Sequence, residues 1–265
     1  RVEKVSGAKL PEEHRAAVLA ASLLHDIGHG PFSHTFEKIS GESHETRTLE
    51  IIRDTSTEVH DRLVKHSEQL PDQLAAFFDE DLDEAVRDSV IPSHLSEVVS
   101  SQLDADRFDY LLRDSYATGT QYGRFDLNWI IEHLYLDSDK KRFYLSHKGL
   151  MAAEAYVFAR YHMYRTVYFH KTTRSAEVML RLLFRRYKEL LQAADSDAAR
   201  RDVVPDAPPD VMAAFAGKMT LGQYLALDDH TISEFLKACK LAGDPILKSL
   251  GEGVIGRKLF KAVEA

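Results

Sequence analysis

Cysteine is almost missing from this chain: Cys239 is the only one in 265 residues. One thiol cannot form an internal disulfide, so the fold must rest on a buried core, and a reducing compartment suits it. Long apolar runs are missing as well. The longest fall well short of the ~20 residues that a membrane span needs, and no secretory h-region opens the chain, so we expect a cytoplasmic protein with no membrane partner. Strand-like alternation is scarce, and no internal repeat or low-complexity tract interrupts the sequence. Positive charge is not in excess either. The formal net charge of -8 excludes a surface that traps nucleic acid as a whole, so any polyanion must be held by a local cluster.

What is present is an ordinary globular composition, 44% hydrophobic and 29% charged, in a chain long enough for one large domain or a domain with a small appendage. Apolar residues recur at helical spacing, as in Ala17, Leu19, Ala20, Leu23, Leu24 and Ile27, and again in Val98, Leu103, Leu111 and Leu112. The exception is residues 134–136 and 143–146, which alternate around the polar stretch DSDKK and predict a hairpin. Residues 150–194 contain no proline or glycine and predict one long helix, or two in tandem, as the spine of the domain. The stretch VVPDAPPD over 203–210 reads as a linker, because proline cannot continue a helix. The expected fold is therefore all-α with one small β-hairpin, a core over 1–202 and a C-terminal helical extension over 211–265. The chain opens on Arg1 and in mid-pattern, so we read it as a fragment whose core lacks its N-terminal part.

The most informative stretch is LLHDIGHGPFSH over 23–34, where a helical apolar run ends in His25 and Asp26 and is then broken by Gly28, Gly30 and Pro31. Adjacent His and Asp at a helix end can offer an imidazole nitrogen and a carboxylate oxygen to one divalent cation, a mixed donor set that suits Mn, Fe, Zn or Mg. An isolated pair of this kind is usually a solvated or capping interaction. A second element, SSQLDADRFDYLLRD over 100–114, puts Asp106, Tyr110 and Asp114 on one helix face and pairs Asp109 with Arg113 at i, i+4. Further on, Arg160, Tyr164 and Lys171 fall at i, i+4 and i+11, nearly one face of a continuous helix, with Tyr168 and Arg174 beside it. A local basic strip on an acidic protein suits a triphosphate, which arginine grips with its fork and lysine as a point charge.

Together with TGTQYGRFDL over 118–127 and VYFHKTTR over 167–174, these strings resemble the HD-domain phosphohydrolases. Within that family the resemblance is to the branch of deoxynucleoside triphosphate triphosphohydrolases that includes the sterile-alpha-motif-and-HD-domain dNTPase. It covers most of the chain and implies an HD-domain helical bundle. It also implies that His25, Asp26 and Asp106 are metal ligands, that His29 lies beside the scissile phosphate, and that His34 is the general acid. Glu37 stands as the acidic partner of His34 and His44 as a further catalytic histidine. Glu37 replaces an aspartate and Arg107 a lysine of the family pattern. Arg107, Arg160 and Lys171 are implied near the substrate phosphates, Tyr110 and Tyr168 near the sugar, and Asp114 and Tyr164 complete the implied substrate set.

The resemblance implies a divalent metal cofactor, a deoxynucleoside triphosphate substrate, a nucleotide effector, and assembly as a dimer or tetramer. The family's first metal ligand is a histidine on an earlier helix, for which this chain offers only His14. Eleven residues at ~1.5 Å rise put His14 roughly 16 Å from His25, so the ligand is expected upstream. Two alternatives stay open on sequence alone: an HD phosphohydrolase acting on a monophosphate or signalling nucleotide, and a nucleotide-sensing or nucleic-acid-binding protein with little turnover.

Overall fold

The computed structural model describes residues 1–7, 9–41, 43–79, 81–137, 139, 141–217 and 219–261. Among them are 17 α-helices and one two-stranded antiparallel sheet, so the chain is all-α with one small hairpin. No helix among the described residues is long and apolar enough to cross a membrane. The hairpin pairs Leu134–Asp137 with Arg142–Leu145, with Leu134 opposite Leu145 and Tyr135 opposite Tyr144. Ser138 and Lys140 of its expected turn lie outside the described residues.

The chain forms two compact units, and neither is continuous in sequence: Arg1–Ile27 with Thr48–Phe169, and Gly28–Arg47 with the chain from His170 onward. In the first unit the helix Glu12–Leu24 buries Ala17, Val18 and Ala21 against the helices Leu70–Phe78 and Ser93–Val99. Leu19 and Leu23 fall on the opposite side of the same helix, about 200° and 240° from Ala17 at 100° per residue, and are exposed. The same unit holds a second apolar cluster, where Phe108 and Leu111 of Ala105–Thr118 meet Ile130 and the buried stripe Ala152, Tyr156 and Met163 of Leu150–Met163.

In the second unit the helix Lys171–Ala193 runs through the core, its Leu183, Phe184 and Tyr187 fully buried. Against it pack His34–Ser40, Pro209–Ala216 and Pro245–Ile255. Residues 203–210, expected as a linker, join Asp197–Val203 to Pro209–Ala216 inside this unit, and Val204 is 2% exposed in its core.

The expected spine is two helices in tandem, separated by a turn that changes its geometry. Leu150–Met163 passes into a π-helical turn, Tyr164–Tyr168, and regular helix resumes at Lys171 with the His170 side chain accepting from the Thr172 N–H as its cap. Phe169 (φ -100°, ψ 18°) and His170 (φ -60°, ψ 132°) are not α-helical. The i, i+11 spacing that put Lys171 on one face with Arg160 and Tyr164 assumed an unbroken 3.6-residue period, so that argument for Lys171 does not survive the break.

Candidate functional site

The first cluster sits where two helix ends meet within the first unit. His25 ends Glu12–Leu24, its backbone N–H donating to the Ala21 carbonyl. Asp106 lies in the first turn of Ala105–Thr118, a helix capped by the buried Asp104, whose side chain accepts from the Arg107 N–H at 2.7 Å. His25 Nε2 is 3.3 Å from Asp26 Oδ2 and 3.5 Å from Asp106 Oδ1. These are ion-pair lengths rather than hydrogen bonds in good geometry, and this buried nitrogen has no hydrogen-bond partner. His25 Nδ1 is 3.1 Å from the Ser22 carbonyl, and the Thr48 hydroxyl donates to the His25 carbonyl at 3.1 Å.

That arrangement fits a divalent cation. Donors bonded to one small ion at about 2.0–2.2 Å sit roughly 3.0–3.5 Å apart, the spacing of His25 Nε2 from each of the two carboxylate oxygens here. With Nδ1–H donated to a carbonyl, the imidazole keeps its Nε2 lone pair for an ion, the usual orienting contact of a metal-ligating histidine. The Asp26 carboxylate beside it raises His25 to about 9 against the opposing effect of burial. Burial pushes the Asp106 carboxyl upward, and the neighbouring Asp26 adds to the shift while His25 opposes it. His14 takes no part in the cluster; it lies within electrostatic reach of His94.

The second cluster belongs to the second unit and is organised by one carboxylate. Glu37 Oε2 is 2.7 Å from His34 Nδ1, and Glu37 Oε1 is 3.0 Å from His44 Nδ1 and accepts the His44 backbone N–H at 3.2 Å. The His29 ring stacks on His44 at 3.9 Å between centroids and meets His34 edge-on at 4.8 Å. Burial works against ionisation of Glu37, but the bonds from His34 and His44 outweigh it and bring the carboxyl from its ordinary 4.5 down to about 2. The ionised carboxylate fixes the orientation of both rings through Nδ1. The donor atoms of all four residues lie within 4.8 Å of one another.

The turn that delivers these residues is strained and tightly packed. Phe32 (φ 58°) and Ser33 (φ 52°) are consecutive non-glycine residues at positive φ, and the Ser33 N–H donates to the Gly30 carbonyl at 2.9 Å while the Phe32 N–H reaches Asp229 Oδ1 at 3.3 Å. A Cβ on Gly30 would lie 2.8 Å from Phe36 Cδ1 and 3.1 Å from the Tyr224 hydroxyl, which donates to the Gly28 carbonyl. Phe36 is 1% exposed and faces Phe184 and Phe215, so it has little room to retreat. Gly30→Ala is therefore expected to cost about 1–3 kcal/mol and to lower the melting temperature by several degrees; an unchanged melting curve would rule out the close approach.

Of the expected substrate residues, six lie in the first unit. Tyr110 and Tyr168 meet edge-on at 6.1 Å, and the Tyr168 hydroxyl donates to Asp114 Oδ2 at 2.6 Å. Burial raises both phenols, Tyr110 to about 12, so both remain protonated donors. The Arg160 guanidinium stands 5.5 Å over the Tyr164 ring, and Arg107 Nη1 is 3.2 Å from Asp104 Oδ2. Lys171 belongs to the second unit, as the exposed first residue of its helix.

Sequence reasoning missed the Ser22 carbonyl, Thr48, Asp104 and Tyr224. Of these only Asp104 carried a local signal, an acidic residue three before Arg107 at a helix start. It also missed Arg47, 7% exposed with its guanidinium 4.7 Å over the Tyr224 ring.

Comparison with known proteins places the chain in a family. Residues 3–113 match the family model of the HD domain, and residues 125–214 that of the HD associated region. The chain belongs to the HD-domain family. A phosphohydrolase structure from Bacteroides thetaiotaomicron VPI-5482 is 32% identical to this HD-domain chain with a TM-score of 0.75, covering 97% of this chain and 61% of that one. The protein YwfO of Bacillus subtilis strain 168 is 39% identical over 253 residues, 96% of the HD-domain chain and 54% of YwfO. The deoxynucleoside triphosphate triphosphohydrolase SAMHD1 of Danio rerio is 26% identical over 277 residues, covering 93% of the chain and 42% of that enzyme. The HD-domain chain spans 54% to 61% of the length of the first curated relatives it matches.

Proposed function

We propose that this HD-domain chain is the core of a metal-dependent hydrolase that cleaves deoxynucleoside triphosphates to deoxynucleoside and inorganic triphosphate. The observation that carries the metal-dependent part is the buried His25 Nε2, aimed between two carboxylates with its other nitrogen facing a carbonyl. Similarity to deoxynucleoside triphosphate triphosphohydrolases supports the substrate.

A divalent ion held by His25, Asp26 and Asp106, Mn, Mg, Fe or Zn, supplies Lewis acidity toward phosphate oxygens and water. The protein groups have separate work. Water adds to the α-phosphorus and the bond to the 5′ oxygen breaks. His34, oriented through Nδ1 by Glu37, hands its proton to that departing oxygen. His29 and His44 contribute neighbouring imidazole donors. Arg107, Arg160 and Lys171 offset phosphate charge. Tyr110 and Tyr168, the latter tied to Asp114, present a rigid aromatic surface and a polar edge to the sugar, with Tyr164 supporting Arg160.

The reading also includes a nucleotide effector, assembly from identical subunits and a cytoplasmic setting. The test is an assay of the full-length protein with each of the four metals against deoxynucleotides, ribonucleotides and monophosphates, with the phosphorus product identified by NMR. Triphosphate released from deoxynucleotides supports the proposal. Phosphate from monophosphates would assign another nucleotide, and tight binding without product would assign a sensor.

A further inference from the structure

One buried tyrosine touches both chain segments that carry the stacked histidines of the second unit. Tyr224 lies in the core built around Lys171–Ala193, where Phe36, Phe184, Phe215 and Phe235 fill the neighbouring space with unsubstituted rings. Its hydroxyl donates to the carbonyl of Gly28, a buried residue whose acceptor must be met from within the fold. Gly28 immediately precedes His29. A Cβ on Gly30 would lie 3.1 Å from the same hydroxyl, so the turn is seated directly on it. Asp229, from the same C-terminal stretch, accepts the Phe32 N–H at 3.3 Å and holds the turn beyond His29.

The face of the same ring holds the second segment. Arg47, as buried as Tyr224, places its guanidinium 4.7 Å over the Tyr224 ring. A cation over an aromatic face is attracted by the ring's quadrupole, and the attraction grows as water is excluded. Arg47 stands three residues after His44 on the helix His44–Arg53, so the two side chains are neighbours one turn apart. Tyr224 therefore grips the chain one residue before His29 and one helical turn after His44. Those two rings stack at 3.9 Å between centroids and 16° between planes. The hydroxyl sets the height of one ring and the aromatic face sets that of the other.

The geometry points to Tyr224 as a positioning residue, which holds His29 and His44 in register through its hydroxyl and its ring together. That this register serves catalysis rests on the hydrolase reading above; that Tyr224 sets it does not. The test uses the full-length protein with Mg bound and two readouts. Histidine-selective NMR reports the imidazoles without turnover. Tyr224→Phe should move the ring signals of His29 and His44, each lying in the other's ring current, and leave His60, bonded to the Ile52 carbonyl in the first unit, unchanged. In steady-state kinetics Tyr224→Phe should lower kcat about tenfold to a hundredfold with KM within about twofold, the signature of misplaced groups rather than lost binding. Arg47→Lys, which keeps a cation over the ring, should retain more kcat than Arg47→Met. Val211→Ala, in the same core, should lower the melting temperature while kcat stays that of the parent. Unmoved His29 and His44 signals in Tyr224→Phe, or a kcat that falls as far in Val211→Ala as in Tyr224→Phe, would overturn the proposal. A parent that cleaves no deoxynucleotide would remove the hydrolase reading alone, and the ring signals would still decide the role of Tyr224.

Discussion

Replacing Asp106 by alanine is expected to reduce turnover by at least about a thousandfold, while the helical CD spectrum stays that of the parent. The loss follows from its place: one of the two carboxylates beside His25 Nε2, on a helix whose cap is supplied by Asp104 and not by Asp106 itself. Lewis-acid stabilisation of developing charge is worth several kcal/mol, and each ~1.4 kcal/mol is tenfold in rate. The fold should tolerate the change. Burial and the neighbouring Asp26 both penalise the Asp106 carboxylate, which offsets the attraction to His25 that is lost with it. Steady-state kinetics and far-UV CD on the same preparation check this, and a variant retaining activity would sink the metal assignment.

Glu37→Gln is expected to lower kcat by about a hundred- to ten-thousandfold, the range for impaired proton transfer. It also carries a stability signature with a definite sign. The carboxyl is held at about 2 in the folded chain against an ordinary 4.5. A depressed folded pKa gives stabilisation that is complete above the unfolded value and is lost as pH falls through the folded one. The melting temperature of the parent should therefore exceed that of Glu37→Gln at neutral pH, with the gap closing between about pH 4.5 and pH 2. A gap independent of pH would mean that His34 and His44 do not hold an ionised carboxylate.

What could be read from the sequence depended on whether the signal was local. The i, i+3 pair His34 and Glu37 and the i, i+4, i+8 face of Asp106, Tyr110 and Asp114 each lie on a single helix, and fixed rise and twist place them without knowledge of the rest. The bidentate Asp109–Arg113 pair, with bonds of 2.8 and 2.9 Å, follows from the same rule. Glu37 and His44 are joined across Gly41, a left-handed helix cap that no periodicity specifies, and were linked only through family resemblance. Leu19 and Leu23 lie about 200° and 240° round the helix from Ala17 and face solvent, so the run of apolar residues marked a helix without marking which side is buried. The π-turn left no mark in composition, and it displaced the register on which the Lys171 argument rested. Gly123 is a similar case: a Cβ there would lie 2.6 Å from the Leu111 carbonyl, a tertiary approach invisible to local pattern.

The interleaving of the two units also sets a schedule for synthesis. Phe36 packs against Phe184 and Phe215, which are made some hundred and fifty to a hundred and eighty residues after it. At bacterial and eukaryotic elongation rates that is a wait on the order of ten to thirty seconds. During it, the histidine-bearing segment has no core to fold onto, since loop closure over such a span must precede the contacts that reward it. The packing that holds the His34, Glu37 and His44 segment is therefore incomplete until the chain through Phe215 has emerged.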